Sequence, residues 1–156
     1  MKIEHGTWVI VADGAKYLAM RNIGDAVSLQ LEVVAQETSD QPAARDLASD
    51  RPGRRNDASR ATPGGVASWG KSAMEQTDWH ARAEMDFATG LAKQLGEWAA
   101  ANRFDKLVVI AAPQTLGHLR AAWDQSVAAL IIAEIDKDLT GLPVPRIETV
   151  ITGIEA

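Results

Sequence analysis

The hydrophobic pattern changes character partway along the chain, and this change restricts the possible folds more than any other feature. Before residue 37, apolar residues alternate with polar ones or form short β-branched runs, which is typical of strands. After residue 71, apolar residues recur three or four positions apart, and these helix-like stretches alternate with short apolar runs. Strands followed by alternating helices and strands predict a sheet with helices packed on it.

The first 36 residues predict three antiparallel strands. Thr7–Ala12 is apolar and β-branched, Lys16–Arg21 alternates polar and apolar residues, and Ser28–Gln36 alternates as well. Asp13-Gly14 joins the first two runs and predicts a hairpin with a type I′ turn, because that turn needs positive φ angles. The three runs therefore predict an antiparallel meander.

A long helix is predicted next, beginning at Ser72, where Ser72 and Glu75 form a capping box. Its predicted buried stripe consists of Trp79, Ala83, Phe87, Leu91, Leu95 and Trp98. Lys106–Ala112 has no alternation, which is typical of a central strand covered on both faces. Pro113 is expected to begin the following helix.

Ser126–Ile135 predicts another buried strand, and Pro145–Ile151 predicts a final short helix. These elements together predict an α/β fold with a mixed five-stranded sheet and packed helices. Because 156 residues with 46% hydrophobic content suffice for one core, a single domain over residues 1–156 is expected.

The composition excludes several classes of protein. The chain has no cysteine, which rules out disulfides and thiolate metal sites. No secretory signal pattern is present at the amino terminus, so a cytoplasmic location is expected. The longest apolar run, Val127–Ala133, is far shorter than the roughly 20 residues that span a bilayer, so no membrane association is expected. A net charge of −5 argues against broad, nonspecific attraction to polyphosphate.

A long loop is predicted at about residues 37–71, where the hydrophobic pattern disappears. Structureless connections longer than about 15 residues are uncommon in compact domains unless they are functional or disordered. Residues 51–60 carry four arginines against one aspartate, and guanidinium groups bind phosphates in a bidentate manner. The alternative is a solvated loop whose arginines pair with neighbouring aspartates. The predicted binding residues of this loop are Arg51, Gly53, Arg54, Arg55, Arg60, Gly64, Gly65 and Trp69.

Two of these positions have competing explanations. Gly64-Gly65 is either a hinge, a place of close backbone approach or a plain turn. Trp69 is expected either to stack on a base or, as we favour, to fasten the loop to the body of the domain.

The acidic residues offer a different kind of site. Asp13 follows the first strand, and Asp136 and Asp138 follow the last, so they are candidates for a magnesium site of the phosphoryl-transfer type. Turn formation by Asp13 is the simpler explanation. His80 and Glu84 are expected one turn apart on the long helix, as an acid–base pair or as an ordinary exposed contact.

Four phrases together resemble the bacterial host attachment protein family. They are Trp8–Gly14, Asp50–Arg54, Leu116–Arg120 and Lys137–Thr140, and they span nearly the whole chain in the family's order. This family resembles stand-alone bacterial relatives of the middle domain of archaeal and eukaryotic release factors, which implies an RNase H-like fold. Arg120, in the third phrase, joins the predicted binding residues.

The resemblance also implies a role linked to the ribosome. In the release factors a loop carries Gly-Gly-Gln, whose glutamine helps water attack peptidyl-tRNA, whereas this chain has Gly64-Gly65-Val66. We therefore expect a noncatalytic module that contacts RNA or the ribosome, with no cofactor. Two alternatives stay open: a protein-interaction factor in attachment to host cells, and a metal-dependent phosphoryl-transfer enzyme.

Overall fold

The computed structural model describes residues 1–39 and 65–154, with side chains described for residues 1–39 and 78–154. The predicted loop arginines therefore lie outside the described residues. The elements, in chain order, are β1 (Trp8–Ala12), β2 (Lys16–Asn22), β3 (Leu31–Thr38), α1 (Gly65–Ala100), β4 (Leu107–Ala111), α2 (Pro113–Ala122), α3 (Gln125–Ala128), β5 (Ile131–Ile135) and α4 (Val144–Thr152).

The five strands form one mixed sheet in the order β3-β2-β1-β4-β5. β1 and β2 are antiparallel, as are β2 and β3, which confirms the predicted meander. β1 is parallel to β4, and β4 is parallel to β5. After β1 the chain continues into β2, on one side of β1, whereas after β4 it continues into β5, on the opposite side of the sheet. The gap between these two strands is thus a topological switch point, a place where α/β sheets commonly bind ligands.

The two central strands are buried along their whole length, as expected for strands covered on both faces. On one face, alternate residues of β1 and β4 pack against Leu91 and Leu95 of α1 and Leu119 of α2. On the other face, the remaining residues of these strands pack against Ile147 and Ile151 of α4. The prediction of an α/β fold with helices packed on a mixed five-stranded sheet is confirmed.

The hairpin between β1 and β2 is present, but its predicted type I′ turn is wrong. The connection has three residues, and Gly14 does not adopt a positive φ. Instead, Asp13 Oδ1 accepts hydrogen bonds from the backbone amides of Ala15 and Lys16, each at 2.8 Å. The aspartate side chain therefore stabilises the turn without the mirror-image backbone that Asp-Gly favours.

The long helix begins earlier than predicted. α1 starts at Gly65 rather than Ser72, so residues 65–71 are helical and the capping box is wrong. The prediction also placed Trp79 in the core, but its side chain is 42% exposed. A helix of 36 residues is about 54 Å long, far longer than the strands it crosses. Among its described side chains, Ala88, Leu91, Ala92 and Leu95 in the carboxyl-terminal part are buried against the sheet.

The region around the last strand also differs from the prediction. Ser126–Ile135 divides into the short helix α3 and the strand β5. Asp124 begins α3 by accepting a hydrogen bond from the Val127 amide. Within the described sheet β5 is an edge strand, and its Ile132 side chain is 52% exposed.

Candidate functional site

A cleft of about 560 Å³ opens at the carboxyl ends of β1 and β4, at the switch point of the sheet. Its walls come from five places: the β1–β2 turn, Ser39 directly after β3, the first residues of α2, the segment after β5, and α1. The side chains that dominate its chemistry are Asp13, His80, Glu84, Thr115, Asp138 and Thr140.

Two aspartates converge on one threonine at the base of this cleft. The Thr140 hydroxyl oxygen lies 2.7 Å from Asp13 Oδ2 and 2.6 Å from Asp138 Oδ1. A hydroxyl carries one hydrogen, so Thr140 can donate to only one of these oxygens at a time. When Thr140 donates to Asp138, Asp13 Oδ2 faces a lone pair of the hydroxyl oxygen, whereas Asp138 Oδ1 accepts from the Thr140 amide in either case.

Backbone amides hold both carboxylates in place. Asp13 is fixed by the two amides of its turn, and Asp138 Oδ1 accepts a further hydrogen bond from the Thr140 amide at 3.1 Å. Thr140 itself is only 7% exposed. Backbone amides that follow β1 and β5, two strands far apart in sequence, therefore fix the positions of the two carboxylates.

α1 contributes a third carboxylate to the opposite wall. Glu84 lies so close to Gly14 that a Cβ atom built on Gly14 would stand 2.6 Å from Glu84 Cγ. A glycine is thus needed at this position for Glu84 to lie against the β1–β2 turn. His80, one helical turn before Glu84, also lines the cleft, and its ring packs edge-on against Trp79 at a centroid distance of 5.2 Å.

The start of α2 forms the remaining wall. Its N-cap residue, Ala112, supplies no side-chain hydrogen bond to the free amides of the first turn. Thr115, in that turn, is 4% exposed and lines the cleft.

The described lining of the cleft is strongly acidic. Asp13, Glu84 and Asp138 contribute carboxylates, His80 is the one ionisable side chain of basic type, and none of the described lining residues is lysine or arginine. Such a lining attracts cations and repels a bare phosphate. Across the described residues, no three His, Asp or Glu side chains are grouped so that they alone would hold a metal ion.

The acidic site differs from the one expected from sequence. Asp13 was predicted to act with Asp136 and Asp138, but Asp136 does not line the cleft. Its partners there are Asp138 and Thr140. Thr140 was missed, although its position two residues after an aspartate is typical of a side-chain-stabilised turn. Thr115 was also missed, because nothing local distinguishes it from other threonines in a first helical turn.

The predicted binding residues are mostly outside the described part of the chain. This applies to Arg51, Gly53, Arg54, Arg55, Arg60 and Gly64. Gly65 is the first residue of α1, and Trp69 follows it in the same helix, so both belong to the helix rather than to the predicted loop. The side chain of Trp69 is not among those described.

Arg120 lies on α2, away from the lining of the cleft. Its guanidinium group pairs with Glu134 of β5 through a contact of 2.5 Å, and its side chain remains 57% exposed. An exposed pair of this kind contributes little to stability, so Arg120 stays accessible to an anionic ligand. Its binding role stays a prediction.

An α/β domain with an antiparallel meander, two further parallel strands and a cleft at the switch point defines the structural class of this protein. The chain belongs to the bacterial archaeo-eukaryotic release factor family 12, whose family model matches residues 6–151. The release factor part of the resemblance is thereby confirmed, whereas the match does not bear on host attachment. A comparison with curated proteins found no match. None of the helices within residues 1–39 and 65–154 combines the length and apolar character needed to cross a bilayer.

Proposed function

We propose that this protein is a noncatalytic, cytoplasmic module that associates with RNA or the ribosome and contacts phosphate through Arg51, Arg54, Arg55 and Arg60. The observation that carries the proposal is membership of a release factor family across residues 6–151. Release factors work on the ribosome, whose surface is largely RNA phosphate. A positively charged segment is the simplest way for an acidic protein to bind that surface.

The distribution of charge supports the choice of the arginines. The chain has a net charge of −5, and the described cleft is lined by three carboxylates. Neither feature favours direct contact with RNA. Residues 51–60 combine four arginines with one aspartate, and guanidinium groups bind phosphate oxygens in a bidentate geometry.

The proposal excludes peptide release because of the residue at position 66. The glutamine that serves release in the related factors is replaced by Val66, which has no side-chain hydrogen-bonding group. A valine cannot orient a water molecule for attack on an ester. The module therefore binds without hydrolysing peptidyl-tRNA.

Sedimentation through a sucrose gradient tests the proposal. The native protein in lysate is expected to migrate with ribosomes at low salt and to dissociate as salt is raised, because each phosphate contact releases a counterion. A variant with the four arginines changed to alanine is expected to remain at the top of the gradient. A control variant removes the same charge at exposed positions elsewhere: Lys2→Ala, Arg82→Ala, Lys93→Ala and Arg146→Ala.

The control separates specific contacts from net charge. We expect it to migrate like the native protein. If both variants dissociate equally, net charge alone governs the association and the assignment to the four arginines is wrong. If the native protein never migrates with ribosomes, the RNA proposal fails, and salt-insensitive capture of a protein partner would favour the alternative, a role in attachment to host cells.

A further inference from the structure

We propose that the protein binds a phosphate group at the amino-terminal end of β1, between the guanidinium groups of Arg21 and Arg103, with the indole N–H of Trp8 as a further donor. This site lies at the opposite end of β1 from the cleft. All three residues belong to the described part of the chain. The site is therefore separate from the four arginines of residues 51–60 and does not depend on the proposed association with RNA.

The register of the sheet places Arg21 beside Trp8. The two residues are directly opposite each other in the antiparallel pairing of β1 and β2. Residues opposite each other point to the same face of a sheet, with Cβ atoms about 4.5–5.5 Å apart. Trp8 belongs to the core on the α1 face, so Arg21 points to that face as well. Unlike Trp8, its side chain is exposed.

The turn after α1 brings a second arginine to the same tryptophan. The backbone amide of Arg103 donates to the Trp98 carbonyl at 2.9 Å, which fixes the chain where it leaves the helix. The guanidinium carbon of Arg103 lies 5.6 Å from the centroid of the Trp8 ring. Arginine favours such stacking on an aromatic face, and its N–H groups remain free to bind a ligand. Two guanidinium groups therefore border one indole ring.

Neither guanidinium group has an acidic partner in the described part of the chain. The ion pairs found there involve other cations, namely Lys106 with Glu4 and Arg120 with Glu134. Glu32 lies opposite Arg21 on β3, but both side chains are exposed and they form no ion pair. Unpaired guanidinium groups bind phosphate through parallel N–H donors, so this pair is available to an anion.

The indole N–H of Trp8 is the independent observation in favour of a ligand. Trp8 is 2% exposed, and its Nε1 atom is buried with no hydrogen-bond partner among the described residues. Buried polar atoms are nearly always paired, so an unpaired one calls for an acceptor. The exposed Arg103 side chain lies on this ring. A phosphate that draws Arg103 aside would present an oxygen to Nε1.

The number of donors favours phosphate over a carboxylate. Two guanidinium forks and one indole N–H offer more donors than the two oxygens of a carboxylate can accept in good geometry. A phosphate group has oxygens in several directions and can accept from all three side chains. The phosphate could belong to an RNA backbone or to a small phosphorylated molecule, and the experiment distinguishes these sources.

Nuclear magnetic resonance of the full chain tests this inference through the indole N–H signals of its five tryptophans. The protein is titrated with inorganic phosphate in one arm and with a short uridine oligonucleotide in the other, at constant ionic strength. The four arginines of residues 51–60 are changed to alanine in both arms, so failure of the proposed function leaves this test intact. We expect the Trp8 signal to move, and the signal of Trp79, in the part of α1 near the cleft, to stay in place.

Variants of exposed residues assign the donors. Arg21→Ala and Arg103→Ala should each weaken binding about tenfold, because each removes a hydrogen-bonded charge. Arg82→Ala and Arg146→Ala are the matched controls, since both are exposed arginines elsewhere, and binding should change less than about twofold. Glu32→Gln should strengthen binding about two- to threefold by removing the negative charge opposite Arg21.

The outcomes separate the two sources of phosphate. A Trp8 signal that moves only with the oligonucleotide assigns the site to RNA, and one that moves with inorganic phosphate as readily assigns it to a small phosphorylated molecule. The inference is overturned if the Trp8 signal moves in neither arm or if Trp79 moves as much as Trp8. It is also overturned if the two control variants weaken binding as much as Arg21→Ala and Arg103→Ala.

Discussion

Asn22 is a buried polar side chain that connects three separate segments of backbone. It lies at the end of β2 and is 0% exposed. Its Nδ2 atom donates to the carbonyl groups of Ile3 and Glu4, at 2.8 and 3.2 Å. Its Oδ1 atom accepts from the amides of Gly24 and Gln30, at 2.9 and 3.1 Å. The side chain thus holds the amino-terminal segment against the connection between β2 and β3.

Replacing Asn22 with alanine should be severely destabilising. Each of these four hydrogen bonds contributes about 0.5–1.5 kcal/mol, and buried backbone groups left without partners cost more than the bond itself. We expect Asn22→Ala to lower the free energy of unfolding by about 4 kcal/mol. Because domains of this kind are stable by roughly 5–15 kcal/mol in total, the change removes a quarter or more of the stability.

Urea denaturation followed by circular dichroism measures this loss. With a dependence of roughly 2 kcal/mol per molar urea, the midpoint of unfolding should fall by about 2 M. Gln30→Ala is the control, since the Gln30 side chain is exposed, and its midpoint should change by less than about 0.3 M. A loss below about 1 kcal/mol for Asn22→Ala, with unchanged cooperativity, would show that the segments are not joined through this amide.

Three further predictions concern Gly14, Asn102 and Asp124. Gly14→Ala should lower the free energy of unfolding, measured by urea denaturation, by about 1–2 kcal/mol, because the new methyl group displaces Glu84. The loss should be much smaller when Glu84 is already alanine. Equal losses in both backgrounds would refute the contact. Asn102, just after α1, has a φ of 56°, which glycine adopts easily and valine does not. Asn102→Gly should therefore leave the free energy of unfolding nearly unchanged, whereas Asn102→Val should lower it by about 1–2 kcal/mol. Similar urea midpoints for the two variants would contradict this. Hydrogen bonds from the Ser126 hydroxyl and the Val127 amide lower the pKa of Asp124. Its contribution is therefore present above the ordinary pKa and lost as pH falls through the lowered one. The difference in melting temperature between wild type and Asp124→Asn should shrink over that fall in pH, and a difference that widens would contradict this.

The sequence of elements along the chain could be predicted because each strand carries its own local pattern. Lys16–Asn22 alternates and pairs on both sides within the meander, whereas Leu107–Ala111 is apolar throughout and lies at the centre. The start of α1 could not be predicted in the same way. Ser72 and Glu75 form a good local capping signal, but the helix continues through them from Gly65. A capping box indicates where a helix is able to begin and does not prevent it from beginning earlier.

The site could be predicted only in part for a related reason. Asp13 and Asp138 were recognisable as carboxylates that follow strands, because that position is visible in the sequence. Their contact through Thr140 joins residues 127 positions apart, and it depends on β4 lying between β1 and β5. Sequence periodicity specifies which face of a strand is buried and does not specify which strands are neighbours. Both Asp136 and Asp138 were therefore predicted as partners of Asp13. In the structure Asp138 lines the cleft with Asp13, and Asp136 does not.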